Sequence, residues 1–171
     1  PEVVDRPDAT ELPVIKGEIR YEHVSFEYLL GVPVLHDVNL NIKPGQTVAL
    51  VGQTGAGKTT MVSLLARFYN VTGGRITIDG YDVRDVTHRS LASQLSMVLQ
   101  EPFLFSVSVA DNIRYRHTQA SMEQVVAAAK AVGAHDFIMK LERGYDAILQ
   151  ERGGNLSVGQ RQLISFARAV L

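Results

Sequence analysis

No cysteine occurs in the 171 residues. Neither a disulfide nor a thiolate-bound metal can therefore belong to the fold, a usage that suits a reducing compartment. An excess of charge of one sign is also missing. Seventeen Lys and Arg stand against 18 Asp and Glu, for a net charge of −1, so no broad basic field exists to recruit nucleic acid or acidic lipid. No apolar run approaches the roughly 18–20 residues of a membrane span, and no signal-peptide pattern opens the chain. What is present is an ordinary globular composition, 46% apolar and 20% charged, with a length that fits one domain or one domain plus a small subdomain.

The most informative stretch is Gly52-Gln53-Thr54-Gly55-Ala56-Gly57-Lys58-Thr59-Thr60, which fits G-x-x-x-x-G-K-[ST], the loop that wraps nucleotide phosphates. Thr47-Val48-Ala49-Leu50-Val51 before it reads as a buried strand. After it Met61, Leu64, Leu65 and Phe68 recur at helical spacing. Glycines at 52, 55 and 57, with Thr54 between them, let backbone N–H groups turn toward an anion. The following helix N-terminus adds partial positive charge, and Thr60 lies in its first turn. Lys58 is placed to reach the β- and γ-phosphates, and the Thr59 hydroxyl to ligate Mg²⁺. The competing reading is a glycine-rich turn followed by a chance Lys-Thr. The strand–loop–helix context disfavours it.

Residues 1–16 carry three prolines among mixed charges, the composition of a linker with neither helical nor strand periodicity. From Gly17 the pattern changes. Ile19 and Tyr21 alternate, then Val24, Phe26 and Tyr28 alternate on the opposite phase, so a bulge is expected near Glu22-His23. Val38, Leu40 and Ile42 alternate again before a Pro44-Gly45 turn. Arg75-Ile76-Thr77-Ile78 with Asp79-Gly80 predicts a strand and a turn. Residues 95–99 read as a second buried strand ending at Gln100-Glu101-Pro102. Beyond them the period becomes helical. Ser121 with Gln124 predicts a capping box, Gly133 a helix stop, and residues 136–141 a short helix ending at Gly144. Ser157 opens a last helix running toward Leu171. No internal repeat is present. The five histidines read as surface or loop residues.

Asn155-Leu156-Ser157-Val158-Gly159-Gln160 carries a second signal. Ser157-x-x-Gln160 is by itself a capping box ahead of an apolar run, and helix initiation alone would explain it. Together with the upstream phosphate loop, however, it resembles the L-S-G-G-Q signature of the ATP-binding domain of ABC transporters, with Val158 in place of the first glycine. Ser157, Gly159 and Gln160 keep the phosphate-facing positions of that pattern. The resemblance covers the chain from Gly17 to Leu171. It implies an α/β fold: a P-loop NTPase core with an antiparallel β subdomain and a helical subdomain. It implies that Tyr28 stacks on adenine, although a core or surface aromatic would look the same. Gln100 takes the place of the family's Q-loop glutamine, which meets Mg²⁺ and the γ-phosphate. Glu151-Arg152-Gly153, Phe103-Leu104-Phe105 and Asp111-Asn112-Ile113 resemble exporter sequences, the first in a loop that touches the membrane domain. A hydrophobic patch packing the helical subdomain would equally explain the Phe-rich stretch.

The implied cofactors are ATP and Mg²⁺. The implied partners are a second ABC ATP-binding domain, met head to tail as a homo- or heterodimer, and a transmembrane domain, N-terminal in the same polypeptide and joined through residues 1–16. Nucleic acid is not among them. The implied location is the cytoplasmic face of a membrane. A DNA-repair ABC ATPase separates loop and signature by a long coiled coil, whereas Ser157 follows Lys58 by 157 − 58 = 99 positions. A translation-type, importer-type or non-catalytic regulatory ABC protein forms the remaining set of alternatives. The family's Asp-Glu strand and switch histidine come after the signature helix, and the residues given stop at Leu171 before them. Such water-positioning groups contribute about 10²–10⁴-fold to rate. The 171 residues alone are therefore expected to bind MgATP, hydrolyse it very poorly and be marginally stable. Robust phosphate release by the purified chain, abolished by Lys58→Ala, would overturn this.

Overall fold

The computed structural model describes residues 3–171, and the chain divides into two compact units, Pro1–Leu95 and Ser96–Leu171.

The first unit is built on a four-stranded antiparallel sheet in which β1 (Ile19–Leu29) lies between β2 (Val32–Ile42) and β3 (Gly73–Ile78), with β4 (Tyr81–Asp82) at the edge beyond β3. The phase slip in the sequence is a bulge. Tyr21 pairs with Leu40 and the next pair is Val24 with Val38. On the other side Glu22 pairs with Arg75, and then Ser25 with Gly73. His23 supplies the kink with φ of 51°. The extra residue restores Val24 and Phe26 to the buried face occupied by Tyr21. Gly74 fits against the bulge with φ of 70°, where a Cβ would collide with the carbonyl oxygens of Glu22 and His23. Asp79 and Gly80, with φ of 49° and 87°, form the expected β3–β4 turn.

Helix α1 (Lys58–Leu65) packs on this unit's core, Leu64 being buried against Phe26, Leu35, Ile76 and their neighbours. The Tyr21 hydroxyl, from β1, donates to the Met61 carbonyl at 3.0 Å and ties sheet to helix. The helix is shorter than its apolar spacing predicts. It stops at Leu65, and Phe68 lies beyond it, half exposed. A second short helix, α2 (His88–Gln94), is capped by Thr87, whose hydroxyl accepts from the Ser90 N–H. Residues 3–16 form no helix and no strand beyond one bridge, Thr10 to Val86. They are nevertheless part of the packing, with Leu12 in the core and backbone groups bonded to Ser90 and Gln94. Backbone-to-side-chain bonds of this kind leave no periodic pattern in a sequence.

Two expected strands are not formed. Residues 47–51 and 95–99 are in no sheet. Val51 is 90% exposed and Leu99 54%. A strand exists only through hydrogen bonds to a neighbour, and neither segment has one among the described residues. The described sheet is accordingly antiparallel throughout.

The second unit is helical: α3 (Val109–Arg114), α4 (Met122–Ala131), α5 (His135–Ile138) and α6 (Val158–Val170) surround a core that includes Leu104, Ile113, Val125, Ile138, Leu149 and Ile164. Both predicted capping boxes are present, Ser121 with Gln124 and Ser157 with Gln160, and Gly133 stops α4 with φ of 72°. The short helix placed at 136–141 is narrower, His135–Ile138, and continues as turns. His135 sits on that helix, its Nδ1 2.9 Å from the Tyr145 hydroxyl, rather than in a loop. Asn112 is fully buried and fully used. Its Oδ1 accepts from the Phe105 N–H at 2.9 Å, and its Nδ2 donates to the Phe105 and Ser108 carbonyls. Arg168 of α6 donates to its backbone carbonyl.

Burial pushes the Tyr21 phenol up to about 12 from an ordinary 10. The folded chain therefore keeps this proton where the unfolded chain loses it. The stabilisation is full below about pH 10 and disappears as pH rises to about 12, a swing of ~2–3 kcal/mol. In urea titrations across that window, wild type is expected to lose stability more steeply than Tyr21→Phe. Parallel pH profiles would contradict it.

Candidate functional site

In the first unit, the loop over residues 52–57 turns through Gly55 and Gly57, both left-handed with φ of 86° and 85°, a region that glycine enters without steric cost. Gly57 is the N-cap of α1 and supplies no side-chain acceptor. The N–H groups of a first helical turn have no intrahelical partner. Where most helices satisfy them with a Ser or Asp, α1 has no side-chain cap, and the helix dipole there favours negative charge. At Gly57 a Cβ would lie 2.6 Å from Leu35 Cδ2, on β2. The same residue thus sets the turn and the close seating of α1 on the sheet. Lys58 folds over the loop, Nζ donating to the Gly52 and Gln53 carbonyls at 2.7 Å each. Thr54 and Thr59 are exposed.

Thr60 points the other way. It is buried, and its Oγ1 lies 3.1 Å from the Tyr28 hydroxyl. Tyr28 is 49% exposed. Its ring meets Phe26 edge-on at 4.7 Å and Tyr69 edge-on at 5.1 Å, geometry favoured by aromatic quadrupoles. Tyr28 is therefore a fixed aromatic face, open to solvent and pinned to the first turn of α1. Tyr69 was not among the residues singled out in the sequence. The signal available was its place beside Phe68, the last residue of the apolar helical spacing.

The residues of the loop suit one style of metal binding. Among the described residues no group of three or more His, Cys, Asp or Glu forms a metal cluster. Mg²⁺ commonly keeps several waters and takes one or two protein oxygens beside substrate phosphates. The exposed hydroxyl of Thr59, in the first turn of α1, fits that chemistry.

The remaining candidates lie on the second unit. Gln100 is exposed in the bend after residues 95–99. Ser157 caps α6: its Oγ accepts from the Gln160 N–H at 3.2 Å, and Gln160 Oε1 accepts from the Ser157 N–H at 2.9 Å. Helix initiation is thus a real role of both residues. It does not use up the serine, whose own O–H remains exposed, nor the glutamine's amide N–H₂. Gly159 is exposed, with nothing within 4 Å of an added Cβ. A helical glycine costs about 1 kcal/mol relative to alanine, and nothing within the chain requires one there. Val158 is 61% exposed, so the valine displaces no packing. Glu151–Gly153 forms a 3-10 turn with Arg152 left-handed at φ of 54° and Gly153 buried against Leu104 and Arg161. Leu104 belongs to the core while Phe103 and Phe105 are partly exposed, so that stretch is both core and surface.

A family model described as "ABC transporter" matches residues 35–171. Among curated proteins, the chain is 48% identical over 168 residues to a putative multidrug export ATP-binding/permease protein of Bacillus subtilis, covering 98% of this chain and 29% of that protein. It is 48% identical over 171 residues to an ATP-dependent lipid A-core flippase of Syntrophus aciditrophicus, covering 100% of this chain and 28% of that one. Among solved structures, a bacterial Atm1-family ABC exporter with ATP bound superposes with a TM-score of 0.94 at 41% identity, over 99% of this chain and 30% of the exporter chain. The chain spans under a third of the length of each of these proteins.

Gly57→Ala is expected to disturb both loop and helix seating, since the methyl meets Leu35 and the backbone is left-handed. A loss of about 2 kcal/mol or more in urea-unfolding stability is anticipated. Gly159→Ala, which meets nothing, should leave stability unchanged or raise it. Equal effects of the two would contradict the geometry.

Proposed function

The chain belongs to the ABC transporter family, and from that premise we propose that it binds MgATP on the first unit and works as half of a head-to-tail pair that drives export across a membrane. The observation that carries this is the uncapped N-terminus of α1 behind left-handed glycines, with a half-exposed tyrosine pinned one residue past Thr59. In this reading the loop N–H groups and Lys58 hold the phosphates, exchanging the Gly52 and Gln53 carbonyls for phosphate oxygens, a stronger charge-assisted partner. Tyr28 offers its face to adenine. Thr59 supplies an oxygen for Mg²⁺, which when bound would balance phosphate charge.

Ser157, Gly159 and Gln160 then serve the nucleotide of the partner domain. The α6 N-terminus presents a serine O–H and a glycine that leaves room for close approach, both suited to a γ-phosphate. ATP joins two such domains because its terminal phosphate is the group the second domain contacts, so nucleotide state shifts the dimer equilibrium. A transmembrane domain preceding residues 1–16, contacted through Glu151–Gly153 and the exposed Phe103 and Phe105, would receive that change. Such a domain places this chain on the cytoplasmic face of the membrane. The functions named for the relatives, multidrug export and lipid A-core flipping, support export rather than a binding-only role.

Lys58→Ala should weaken MgATP binding by roughly ten- to hundredfold, the worth of a hydrogen-bonded charge, as read by fluorescent-nucleotide titration. Ser157→Glu should leave that binding nearly intact and abolish ATP-dependent dimerisation in analytical ultracentrifugation. Intact dimerisation would reduce Ser157 to a helix cap.

A further inference from the structure

Arg67 is 1% exposed, and among the described residues no other charged side chain is as deeply buried. Its backbone is left-handed, with φ of 55°. It occupies the turn that ends α1, where the Arg67 N–H donates to the Leu64 carbonyl and the Phe68 N–H to the Ser63 carbonyl. Helices favour glycine at this position, and any other residue there carries a steric cost. The side chain holds it. Nη1 donates to Asp5 Oδ1 at 3.0 Å and to the Val86 carbonyl at 2.7 Å, and Nη2 to the Val4 carbonyl at 3.2 Å. Nε has no partner among the described residues. Among the described residues one carboxylate balances this buried charge, and it comes from the N-terminal segment.

That segment is laid along the unit as a strap. Asp5 also accepts from the His88 N–H at 2.9 Å. Thr10 bonds to Asp85 and Thr87 through its backbone. Gln94 accepts from the Ile15 N–H and donates to the Leu12 and Pro13 carbonyls, and Asp79 accepts from the Glu18 N–H at 2.8 Å. At the other end of the relay, two residues past Arg67, Tyr69 stands edge-on to Tyr28. The phosphate end of α1 has its own fastenings, Gly57 on Leu35 and Tyr21 on Met61, and meets Tyr28 through the Thr60 hydroxyl.

We infer that Asp5 and Arg67 are a positioning pair through which docking of the strap fixes the turn after α1, and with it Tyr69 and Tyr28, so that the strap is read as affinity for the nucleotide's base and not for its phosphates. This rests on the ATP-binding reading above. By linkage, a bound base tightens the strap by the same factor.

The test compares MgATP with magnesium tripolyphosphate, which has no base, as ligands of the full chain, alongside the rate of tryptic cleavage after Lys16. Asp5→Asn should speed that cleavage and weaken MgATP about three- to tenfold, a part of what a base–aromatic stack contributes, while tripolyphosphate binding is unchanged. Tyr69→Ala should show the same base-specific loss without faster cleavage. If Asp5→Asn does not fold, Gln94→Ala loosens the strap away from Arg67 and permits the same comparison. Parallel losses for both ligands, or faster cleavage with unchanged MgATP affinity, overturn the relay. A wild-type chain that binds neither ligand overturns the ATP-binding reading itself, and the relay with it.

Discussion

A helix of eight residues does not hold itself together in water, where isolated helices below about 12–15 residues are marginal. Helix α1 is that short and has no side-chain cap at its start, yet it carries the loop on which the candidate site is built. Its stability has to come from what it touches. Leu64 is sunk in the core, the Tyr21 hydroxyl holds the Met61 carbonyl, Thr60 meets Tyr28, and Gly57 seats closely on Leu35. The antiparallel sheet supplies most of these partners. The β1 bulge is what keeps Tyr21, Val24 and Phe26 on one face to do so.

An absent cap is costly for a helix and useful for a site. A Ser or Asp at position 57 would satisfy the first-turn N–H groups and occupy the place an anion would take. In α6 the opposite choice is made. Ser157 and Gln160 cap the helix mutually, so α6 stands without a ligand and still shows an exposed hydroxyl beside an exposed glycine. The two helix N-termini therefore differ in kind: that of α1 has no cap of its own and is suited to completion by an anion, whereas that of α6 is complete beforehand.

Much of this was legible in the sequence because it is local. Gly52 to Thr60, both capping boxes, the phase slip at Glu22-His23 and the Asp79-Gly80 turn are each set by neighbours a few residues apart, and each is present. The residues that failed to follow their pattern depend on distant partners. Residues 47–51 and 95–99 have strand composition, but composition does not supply a hydrogen-bonded neighbour. Phe68 continues an apolar period that the left-handed turn at Arg67 cuts off. Arg67, Asp5 and Tyr69 were invisible because a buried arginine looks like a surface one until its carboxylate, 62 positions away, is placed beside it.

The two ends of α1 are thus held by largely different fastenings, joined through Tyr28, and the consequence is chemical. The groups suited to phosphate are backbone N–H donors and one ammonium. They require the loop geometry and little else, and that geometry is fixed by glycines at the N-terminal end. The group suited to a base is an aromatic face, whose usefulness depends on where neighbouring rings hold it. Those rings are Phe26 on the sheet and Tyr69 beyond the helix's C-terminal end. Whatever disturbs the sheet affects both halves of a nucleotide site, whereas whatever disturbs the turn at Arg67 reaches the aromatic face first. A site divided in this way lets the grip on the base vary more than the grip on phosphates, because Tyr69 meets the aromatic face and not the loop, while the contact of Thr60 with Tyr28 links the two halves.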